Sequence, residues 1–300
     1  MNILITGGLG FVGTQLSKRF LQRGYKVTIV DRSPEPRQTT PAEVTYISGD
    51  TSLEGTWQDE VAAHDAVINL AGVSIFQRWN QETKKLIYDT RILTTKNVAA
   101  AMRQGKNAVL CSTSAVGYYG FHGDEVLTEE DPPGGDFLAS LCVDWEREAQ
   151  RAAEKGIRVV LTRFGIVLGK TGGALGQMIP AFKKFVGGPL GNGEQWFSWV
   201  HMEDLLRAFL FVLEEDTVQG PVNFCAPHPV RNRTLAETLG KLMSRPSFLK
   251  TPGWAIRLAF GEFGSVLLRG QRVVPKKLQN HGFEFQYPEI DMALQAVLQE

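Results

Sequence analysis

Short apolar runs alternate with segments of helical spacing along much of the chain. The first run directly precedes Gly7, and Val12, Leu16 and Phe20 then recur every four residues, as on one face of a helix. Residues 27–30 form a second run rich in β-branched side chains. The order strand, helix, strand predicts a βαβ unit at the N-terminus.

The same alternation continues beyond this unit. Further strands are predicted at residues 44–48, 66–72, 109–113, 159–163 and 222–224, and helices at residues 137–153 and 200–212. Alternating strands and helices are typical of a parallel sheet covered by helices. The sequence therefore predicts an α/β fold of the Rossmann type, a doubly wound parallel sheet with a smaller C-terminal α+β lobe.

Composition changes along the chain predict two domains. Beyond residue 165 the chain becomes rich in glycine connections, at residues 172–173, 187–189 and 191–193. We expect residues 1–165 together with about 200–225 to form a dinucleotide-binding Rossmann domain. We expect residues 166–199 and 226–300 to form the smaller substrate lobe.

Gly7, Gly10 and Gly13 mark the junction between the first strand and the first helix. In dinucleotide-binding folds, glycines at this spacing allow a tight turn, close approach of a pyrophosphate, and packing of the helix on its strand. Negative charge is favoured at a helix N-terminus because the first N–H groups lack backbone partners. We therefore expect Gly7, Gly10, Phe11 and Val12 to bind the phosphates of a dinucleotide.

Asp31 and Arg32 end the second strand, about twenty positions after the glycines, where such folds contact the adenosine ribose. An Asp that accepts hydrogen bonds from the ribose hydroxyls favours NAD. An adjacent Arg favours NADP, because its guanidinium can pair with the 2′-phosphate. The two neighbours leave both cofactors open.

Composition narrows the class of protein. A length of 300 residues with 43% hydrophobic content predicts a large core. The 32 basic and 32 acidic residues give zero net charge, so we expect no nucleic-acid and no membrane partner. The N-terminus shows no signal-peptide pattern, which predicts a cytoplasmic protein. The three cysteines are isolated and the five histidines scattered, so no metal site is expected.

Several separate motifs follow one another in a recognisable order. They are the glycine stretch of residues 6–13, Asn69-Leu70-Ala71-Gly72, Ser112-Thr113-Ser114-Ala115 before Tyr118, Val200-His201-Met202-Glu203-Asp204, and Gly270-Gln271-Arg272-Val273. Together they resemble an atypical extended short-chain dehydrogenase/reductase. The similarity is to the NAD(P)-dependent epimerase/dehydratase-like family, sometimes mislabelled a cell-division inhibitor, whose members carry their own small C-terminal domain.

The resemblance implies a cofactor and further residues that contact it. Relatives carry an uncharged residue before the Arg at the position of Arg32 and bind NADP, whereas Asp31 departs from that pattern and keeps NAD open. The residues implied to line the cofactor, besides the glycine turn, are Leu70, Ala71, Gly72, Arg91, Ser112, Gly165 and Ile166.

The catalytic pair usual in this superfamily is missing from the sequence. Alignment through Ser140 places Phe137 and Leu141 where a Tyr and a Lys normally exchange a proton with the substrate. Such acid–base help is worth about 10²- to 10⁴-fold in rate. The substitutes we expect are Ser114 and the phenol of Tyr118, with packing at a strand end as the alternative for the tyrosine.

Three functions remain open on these grounds. The leading one is an NADP-binding, epimerase-like oxidoreductase that acts on an unidentified small molecule. The second is a catalytically silent NAD(P)-binding sensor or regulatory protein, and the third is a sugar-nucleotide epimerase or dehydratase. The resemblance also leaves a homodimer open.

Two side-chain groups outside the glycine turn carry alternative readings. The aromatic residues Trp196, Phe197 and Trp199 either line a substrate pocket or hold the two lobes together. Arg163 is expected near the nicotinamide end, and His201 is expected to be structural. The remaining basic residues either bind a phosphorylated ligand or form a solvated surface, and they are Arg231, Arg233, Arg269, Arg272, Lys276 and Lys277.

Overall fold

The computed structural model describes residues 1–106, 108–170 and 172–299. Its strands, in chain order, are β1 (Asn2–Thr6), β2 (Lys26–Asp31), β3 (Thr45–Ser48), β4 (Ala66–Asn69), β5 (Val109–Ala115), β6 (Val126–Leu127), β7 (Arg158–Phe164), β8 (Ile166–Gly169), β9 (Trp196–Phe197), β10 (Trp199–His201), β11 (Gly220–Phe224), β12 (Val230–Arg231) and β13 (Arg272–Val273). Its helices are α1 (Phe11–Gln22), α2 (Trp57–Val61), α3 (Gln81–Ala101), α4 (Phe137–Gln150), α5 (Gly173–Lys183), α6 (Met202–Glu214), α7 (Asn232–Met243), α8 (Gly253–Phe260), α9 (Glu262–Leu267), α10 (Lys276–Asn280) and α11 (Ile290–Gln299), with 3-10 turns at Val116–Tyr119 and Ala153–Lys155.

Seven strands form one parallel sheet in the order β3-β2-β1-β4-β5-β7-β11. The chain builds outward from β1 to β3, then returns to β4 on the other side of β1 and continues outward to β11. This reversal leaves a crevice at the carboxyl ends of β1 and β4, where doubly wound folds bind their ligands. The predicted Rossmann-type fold is confirmed.

The sheet is buried on both faces, as a parallel sheet requires. Along β1 the side chains of Ile3 and Ile5 join one apolar core with Leu16 and Phe20 of α1. Leu4 points the other way, because successive side chains of a strand alternate between faces, and joins the core under α2, α3 and α4. The four-residue spacing that predicted α1 therefore marks its buried face.

The C-terminal part of the chain contributes a separate apolar core. Here β8 pairs with β10, and β9 pairs antiparallel with β12. Helices α5, α7 and α11 cover these short strands around a core that includes Phe182, Trp199, Leu235 and Leu294. A further parallel pair, β6 with β13, links the segment after β5 to the C-terminal region.

Two predicted helices have different bounds in the structure. The helix predicted over residues 200–212 begins at Met202, because His201 is its N-cap: the imidazole Nδ1 accepts a hydrogen bond of 3.1 Å from the N–H of Glu203. The helix predicted over residues 137–153 ends at Gln150 and is followed by a 3-10 turn. Its start is set by Asp136, whose carboxylate caps the first turn.

Candidate cofactor and active site

The turn between β1 and α1 is shaped by close backbone contacts. Gly7 has φ +68°, and a Cβ added there would lie 2.8 Å from the Cα of Ala71 in the segment after β4. A Cβ at Gly10 would lie 3.1 Å from the carbonyl oxygen of Gly7, and one at Gly13 would lie 2.6 Å from the Cα of Gly8. Side chains at these positions would fill the turn or push it away from the crevice.

Helix α1 presents its N-terminus at this turn. Its N-cap residue is Gly10, and no side chain caps the first turn. The first N–H groups of a helix have no intrahelical partner and carry partial positive charge, which suits an anion. The ring of Phe11 fixes this end of the helix, because it packs against Gly169 and Gly172 beside α5.

Asp31 and Arg32 differ sharply in their surroundings. The Asp31 carboxylate accepts two backbone hydrogen bonds of 3.3 Å, from the N–H of Leu9 in the glycine turn and from the N–H of Ser33. Arg32 is exposed, and no hydrogen bond or ion pair involves its guanidinium within residues 1–106, 108–170 and 172–299. The acid is thus engaged by the backbone, whereas the base is available to a ligand.

A buried polar network joins the carboxyl ends of β1, β4 and β5. Thr6 donates to the side-chain oxygen of Asn69 at 2.7 Å, and the Asn69 amide donates to Thr95 at 2.8 Å and to Ser112 at 3.3 Å. Trp145 of α4 donates to the same Thr95 hydroxyl at 2.7 Å. The Ser112 hydroxyl is therefore engaged inside this network, and the Ser112 carbonyl oxygen accepts a hydrogen bond of 3.4 Å from the Thr162 hydroxyl.

Leu70, Ala71 and Gly72 leave β4 at the crevice, and Arg91 of α3 lies over them. A Cβ added at Gly72 would lie 3.1 Å from the guanidinium carbon of Arg91. The guanidinium N–H of Arg91 donates a hydrogen bond of 3.1 Å to the carbonyl oxygen of Ile87. Burial lowers the pKa of Arg91 to about 10. No carboxylate pairs with this cation among the described residues, which fits a side chain that awaits an anionic ligand.

Ser114 is committed to a buried ion pair. Its hydroxyl donates a hydrogen bond of 2.6 Å to Oε1 of Glu146, and both carboxylate oxygens of Glu146 accept from Arg163 at 2.8 Å. Burial lowers the pKa of Arg163, but the hydrogen bonds and charge of Glu146 outweigh that effect, so the pKa lies above its ordinary value. Arg163, which was expected near the nicotinamide end, is 2% exposed, and its guanidinium faces Glu146.

Two tyrosines flank the same guanidinium in different ways. Tyr119 is buried: its hydroxyl accepts from Arg163 at 2.9 Å and donates to Asn223 at 2.7 Å, and burial raises its pKa. Tyr118 is half-buried, and the guanidinium carbon of Arg163 lies 3.4 Å from its ring centre. No hydrogen bond reaches the Tyr118 hydroxyl in the described part of the chain. Ser114 and Tyr118 are therefore linked through Glu146 and Arg163 rather than directly.

Phe137 and Leu141, aligned above with the usual Tyr and Lys, lie in an apolar cluster. The Phe137 ring meets Trp79 edge-on with ring centres 5.4 Å apart, and Trp79 in turn contacts Phe263 of α9 at 5.2 Å. Leu141 is 2% exposed in the same cluster. These two side chains cannot hold or move a proton.

Gly165 and Ile166 connect β7 to β8 and are fixed by backbone hydrogen bonds. Gly165 donates to the carbonyl oxygen of Phe224 at 3.0 Å, and Ile166 donates to that of Ser198 at 2.8 Å. His201 is structural, as expected: besides capping α6, it lies 4.0 Å from the Tyr287 ring, and burial lowers its pKa to about 4.

Trp196 and Trp199 differ in their surroundings. Trp199 is fully buried and donates to the carbonyl oxygen of His228, so it holds the lobe together. Trp196 lines an open cavity of about 460 Å³ with Phe121, Arg231 and Arg269. The cavity is thus aromatic and cationic, and it lies between the segment after β5 and the C-terminal region.

The basic residues beside this cavity form no single cationic face. Arg231 pairs with Asp124, Arg233 with Glu194, and Lys276 with Glu130. Arg231 also stacks over the ring of Trp196 at 4.0 Å, and Arg269 and Arg272 stack over the rings of Phe121 and Trp196 at 5.4 and 4.7 Å. The paired residues match the solvated-surface reading, and Arg269 and Arg272 remain available to a ligand.

Among the described residues, no group of three or more His, Cys, Asp and Glu side chains is placed to hold a metal ion. No helix there is long and apolar enough to cross a membrane.

The arrangement of glycine turn, polar strand ends and C-terminal lobe agrees with comparisons to known proteins. The model of the NAD dependent epimerase/dehydratase family matches residues 3–225. The chain belongs to that family. A domain of unknown function, DUF1731, matches residues 251–297, so the predicted family with its own C-terminal domain is confirmed.

Named relatives cover the whole length of this chain. The chloroplastic epimerase family protein SDR39U1 homolog of Arabidopsis thaliana is 40% identical over 100% of this chain and 87% of that protein. The epimerase family protein YfhF of Bacillus subtilis is 36% identical over 99% and 98%. The crystal structure of human SDR39U1 with NADPH matches with a TM-score of 0.87 and 31% identity, covering 100% of both chains.

The buried ion pair of Glu146 and Arg163 was not predicted from the sequence, although the position of Glu146 indicated a buried charge. Glu146 lies four positions after Cys142 on the apolar stripe of α4, where a charged side chain must find a buried partner. Its partner Arg163 ends a predicted buried strand. A carboxylate on a buried helix face and a cation on a buried strand were thus both visible, but only the fold places them together.

Proposed function

We propose that this protein is an NADP(H)-binding, epimerase-like oxidoreductase that acts on a small molecule. The observation that carries the proposal is the contrast between Asp31, held by backbone N–H groups, and Arg32, exposed next to it. A free guanidinium suits the 2′-phosphate, and the engaged carboxylate is a weaker acceptor for ribose hydroxyls. The human relative solved with NADPH supports the same choice of cofactor.

The residues of the crevice fit a dinucleotide. Gly7 and Gly10 keep the turn clear of side chains, and the uncapped first turn of α1, at Phe11 and Val12, offers N–H groups to the pyrophosphate. Arg91 supplies a half-buried cation without a carboxylate partner in the described residues. Leu70, Ala71, Gly72, the backbone of Ser112, Gly165 and Ile166 would line the remainder. When bound, the nicotinamide supplies hydride exchange.

Proton transfer is assigned to the hydroxyl of Tyr118. It is the phenol beside Arg163 that is not engaged by another described side chain, whereas Tyr119 is bonded on both sides. Because Glu146 balances the charge of Arg163, the main contribution of this pair is to hold the Tyr118 ring in place. Ser114 completes the arrangement, since its hydrogen bond fixes Glu146 from the side of β5.

A catalytically silent sensor or regulatory protein is the second candidate. The apolar cluster around Phe137 and Leu141 favours it, because no proton donor stands at those positions. The same cluster argues against a sugar-nucleotide epimerase with the usual mechanism. A small-molecule substrate, a cytoplasmic location and a homodimer stay predictions, as does the division into two domains.

The experiment that tests the proposal is NADPH oxidation against a panel of carbonyl compounds and quinones. We expect turnover with at least one class, and a fall of about 10²-fold or more in Tyr118→Phe and a smaller fall in Ser114→Ala. Tyr25→Phe is the matched control, because Tyr25 precedes the amino end of β2, opposite the strand ends that form the crevice, and hydrogen-bonds Glu214.

The outcomes separate the two candidates. Turnover that survives unchanged in Tyr118→Phe would refute the assignment of that residue while leaving the oxidoreductase in place. Tight NADPH binding without turnover against any member of the panel would favour the silent sensor.

A further inference from the structure

Large apolar side chains are exposed together on the C-terminal part of the molecule. Phe248 is 75% exposed, Trp254 69% and Leu258 67%. Soluble surfaces seldom collect several such side chains, and when they do the patch usually contacts a partner. We call the following residues the apolar patch: Phe185, Val186, Phe248, Leu249, Trp254 and Leu258.

Backbone contacts hold the two halves of the patch side by side. Thr251 donates to the carbonyl oxygen of Pro189 at 2.9 Å, and Gly191 donates to that of Thr251 at 2.9 Å. The Arg245 guanidinium lies 4.5 Å from the Phe185 ring. The segment after α5 and the segment before α8 therefore form one surface.

Helix α8 turns an apolar face outward. Ile256 is 3% exposed and faces α9, where a Cβ at Gly264 would lie 2.6 Å from the Ile256 carbonyl oxygen. Trp254 and Leu258 are four residues apart, so they share the opposite, exposed side of the helix. An isolated surface helix usually presents polar residues there, so this face is suited to a contact.

The two chain segments that carry the patch contain only basic charged residues, and the acidic residues that border them are Glu194, Glu237 and Glu262. Residues 238–261 contain no Asp or Glu, and residues 171–193 contain none either. The basic residues of these two segments are Lys183, Lys184, Lys241, Arg245, Lys250 and Arg257. We expected no membrane partner because the net charge of the whole chain is zero, but that balance hides this local excess of cations.

This combination selects among occupants. A second copy of the chain would bring two cationic patches together, and like charges facing each other oppose association. Exposed Trp, Phe and Leu beside Lys and Arg are the composition of surfaces that lie in the interface of an anionic bilayer. We propose that the apolar patch docks this protein on the surface of an anionic membrane, with Trp254 and Leu258 inserted and the surrounding cations over the headgroups.

The docking site is peripheral, because no described helix could span a bilayer. Its helix α8 also contacts the segment that follows β4. Arg78, in the segment after β4, donates to the carbonyl oxygen of Leu258 at 2.7 Å, and Trp79 follows it in the cluster that holds Phe137. Membrane binding is measured without a substrate, so its result does not depend on the proposed enzymatic function.

The test is co-sedimentation of the full chain with two kinds of vesicle: phosphatidylcholine alone, and phosphatidylcholine mixed with phosphatidylglycerol. We expect binding to the mixed vesicles that weakens as salt is raised. The double variant Trp254→Glu, Leu258→Glu should lower the affinity for the mixed vesicles at least about tenfold, because it removes two apolar side chains that would insert into the membrane. Lys250→Glu, which keeps the apolar residues, should lower it about fivefold or more.

Leu53→Glu is the matched control, because Leu53 is an apolar residue 63% exposed outside the patch. Equal binding to both vesicle types, or an equal loss in Leu53→Glu, would overturn the proposal. Absence of vesicle binding would also overturn the proposal. If light scattering then showed a dimer that Trp254→Glu dissociates, the patch would be assigned to a second copy of the chain.

Discussion

The hydroxyl of Ser114 donates a hydrogen bond of 2.6 Å to the Glu146 carboxylate, inside the protein. Ser114 is the second-last residue of β5, and Glu146 lies on α4, which packs over that strand. The contact ties the strand end to the ion pair with Arg163, and through it to the ring of Tyr118. These contacts position the Tyr118 hydroxyl, a group that can exchange a proton, whereas the side chains of Phe137 and Leu141 cannot.

Glu146→Gln tests how strongly the buried pair stabilises the fold. The variant leaves the Arg163 guanidinium buried without a countercharge, and breaking a buried pair in this way costs about 3–5 kcal/mol. We expect the free energy of unfolding in urea to fall by about 3 kcal/mol. Asp89→Asn, which breaks the exposed pair with Lys85, should cost less than about 1 kcal/mol. Equal losses in the two variants would refute the buried role.

Tyr118 and Tyr119 should respond differently to removal of the hydroxyl. Tyr119→Phe removes the hydroxyl that bonds both Arg163 and the side-chain oxygen of Asn223, so we expect the free energy of unfolding to fall by about 1–3 kcal/mol. Tyr118→Phe removes a hydroxyl that stabilises nothing described, and its change should stay within about 0.5 kcal/mol. Thermal unfolding of both variants measures this, and a larger loss in Tyr118→Phe would contradict the assignment.

Gly10→Ala tests the phosphate turn. The added methyl would lie 3.1 Å from the carbonyl oxygen of Gly7, on the side where the backbone must approach a pyrophosphate. We expect NADPH affinity to fall at least about tenfold, which is 1.4 kcal/mol or more. Gly24→Ala, at φ +76° with no atom within 4 Å, should cost about 1 kcal/mol of stability and leave NADPH affinity unchanged. Unchanged affinity in Gly10→Ala would exclude this turn.

His201 should make the fold sensitive to acid. Burial lowers its pKa from 6.5 to about 4, despite the opposing effect of Glu203, so in this window the unfolded chain binds a proton that the folded chain does not. Stability is therefore complete above the unfolded pKa and is lost as the pH falls toward the folded value. Between about pH 7 and about pH 5 the loss should be roughly 2 kcal/mol. Urea unfolding of His201→Asn, which keeps an N-cap acceptor but cannot titrate there, should show a smaller loss; identical losses would contradict this.

The elements that the sequence predicted share a local cause. The glycine turn, α1 and the sheet strands follow from spacing and β-branched composition within a dozen residues, and the structure contains each of them. Some boundaries differ: the strand predicted over residues 66–72 ends at Asn69, and one helix start is set by a single side chain. The imidazole of His201 begins α6 two residues later than the apolar periodicity indicates.

The parts of the site that the sequence did not predict depend on contacts between distant residues. Asn223 accepts a hydrogen bond from the hydroxyl of Tyr119, 104 positions away in the chain, and Asn69 accepts one from Thr6, 63 positions away. No local pattern records such a pairing, since it exists only when parallel strands end at the same edge of the sheet. Asp31 is a related case, because the Leu9 N–H that engages it is 22 positions away.

The most direct test of the cofactor assignment is calorimetric titration of cofactor-free protein with NADPH and with NADH at one ionic strength. We expect NADPH to bind more tightly, and Arg32→Ala to weaken NADPH by roughly 10- to 100-fold, the value of charge-assisted hydrogen bonds to a phosphate, while NADH is unaffected. Arg37→Ala, another exposed arginine near this strand, should change neither. Tighter binding of NADH, or an Arg32→Ala variant that keeps full NADPH affinity, would contradict the account and assign the ribose to Asp31.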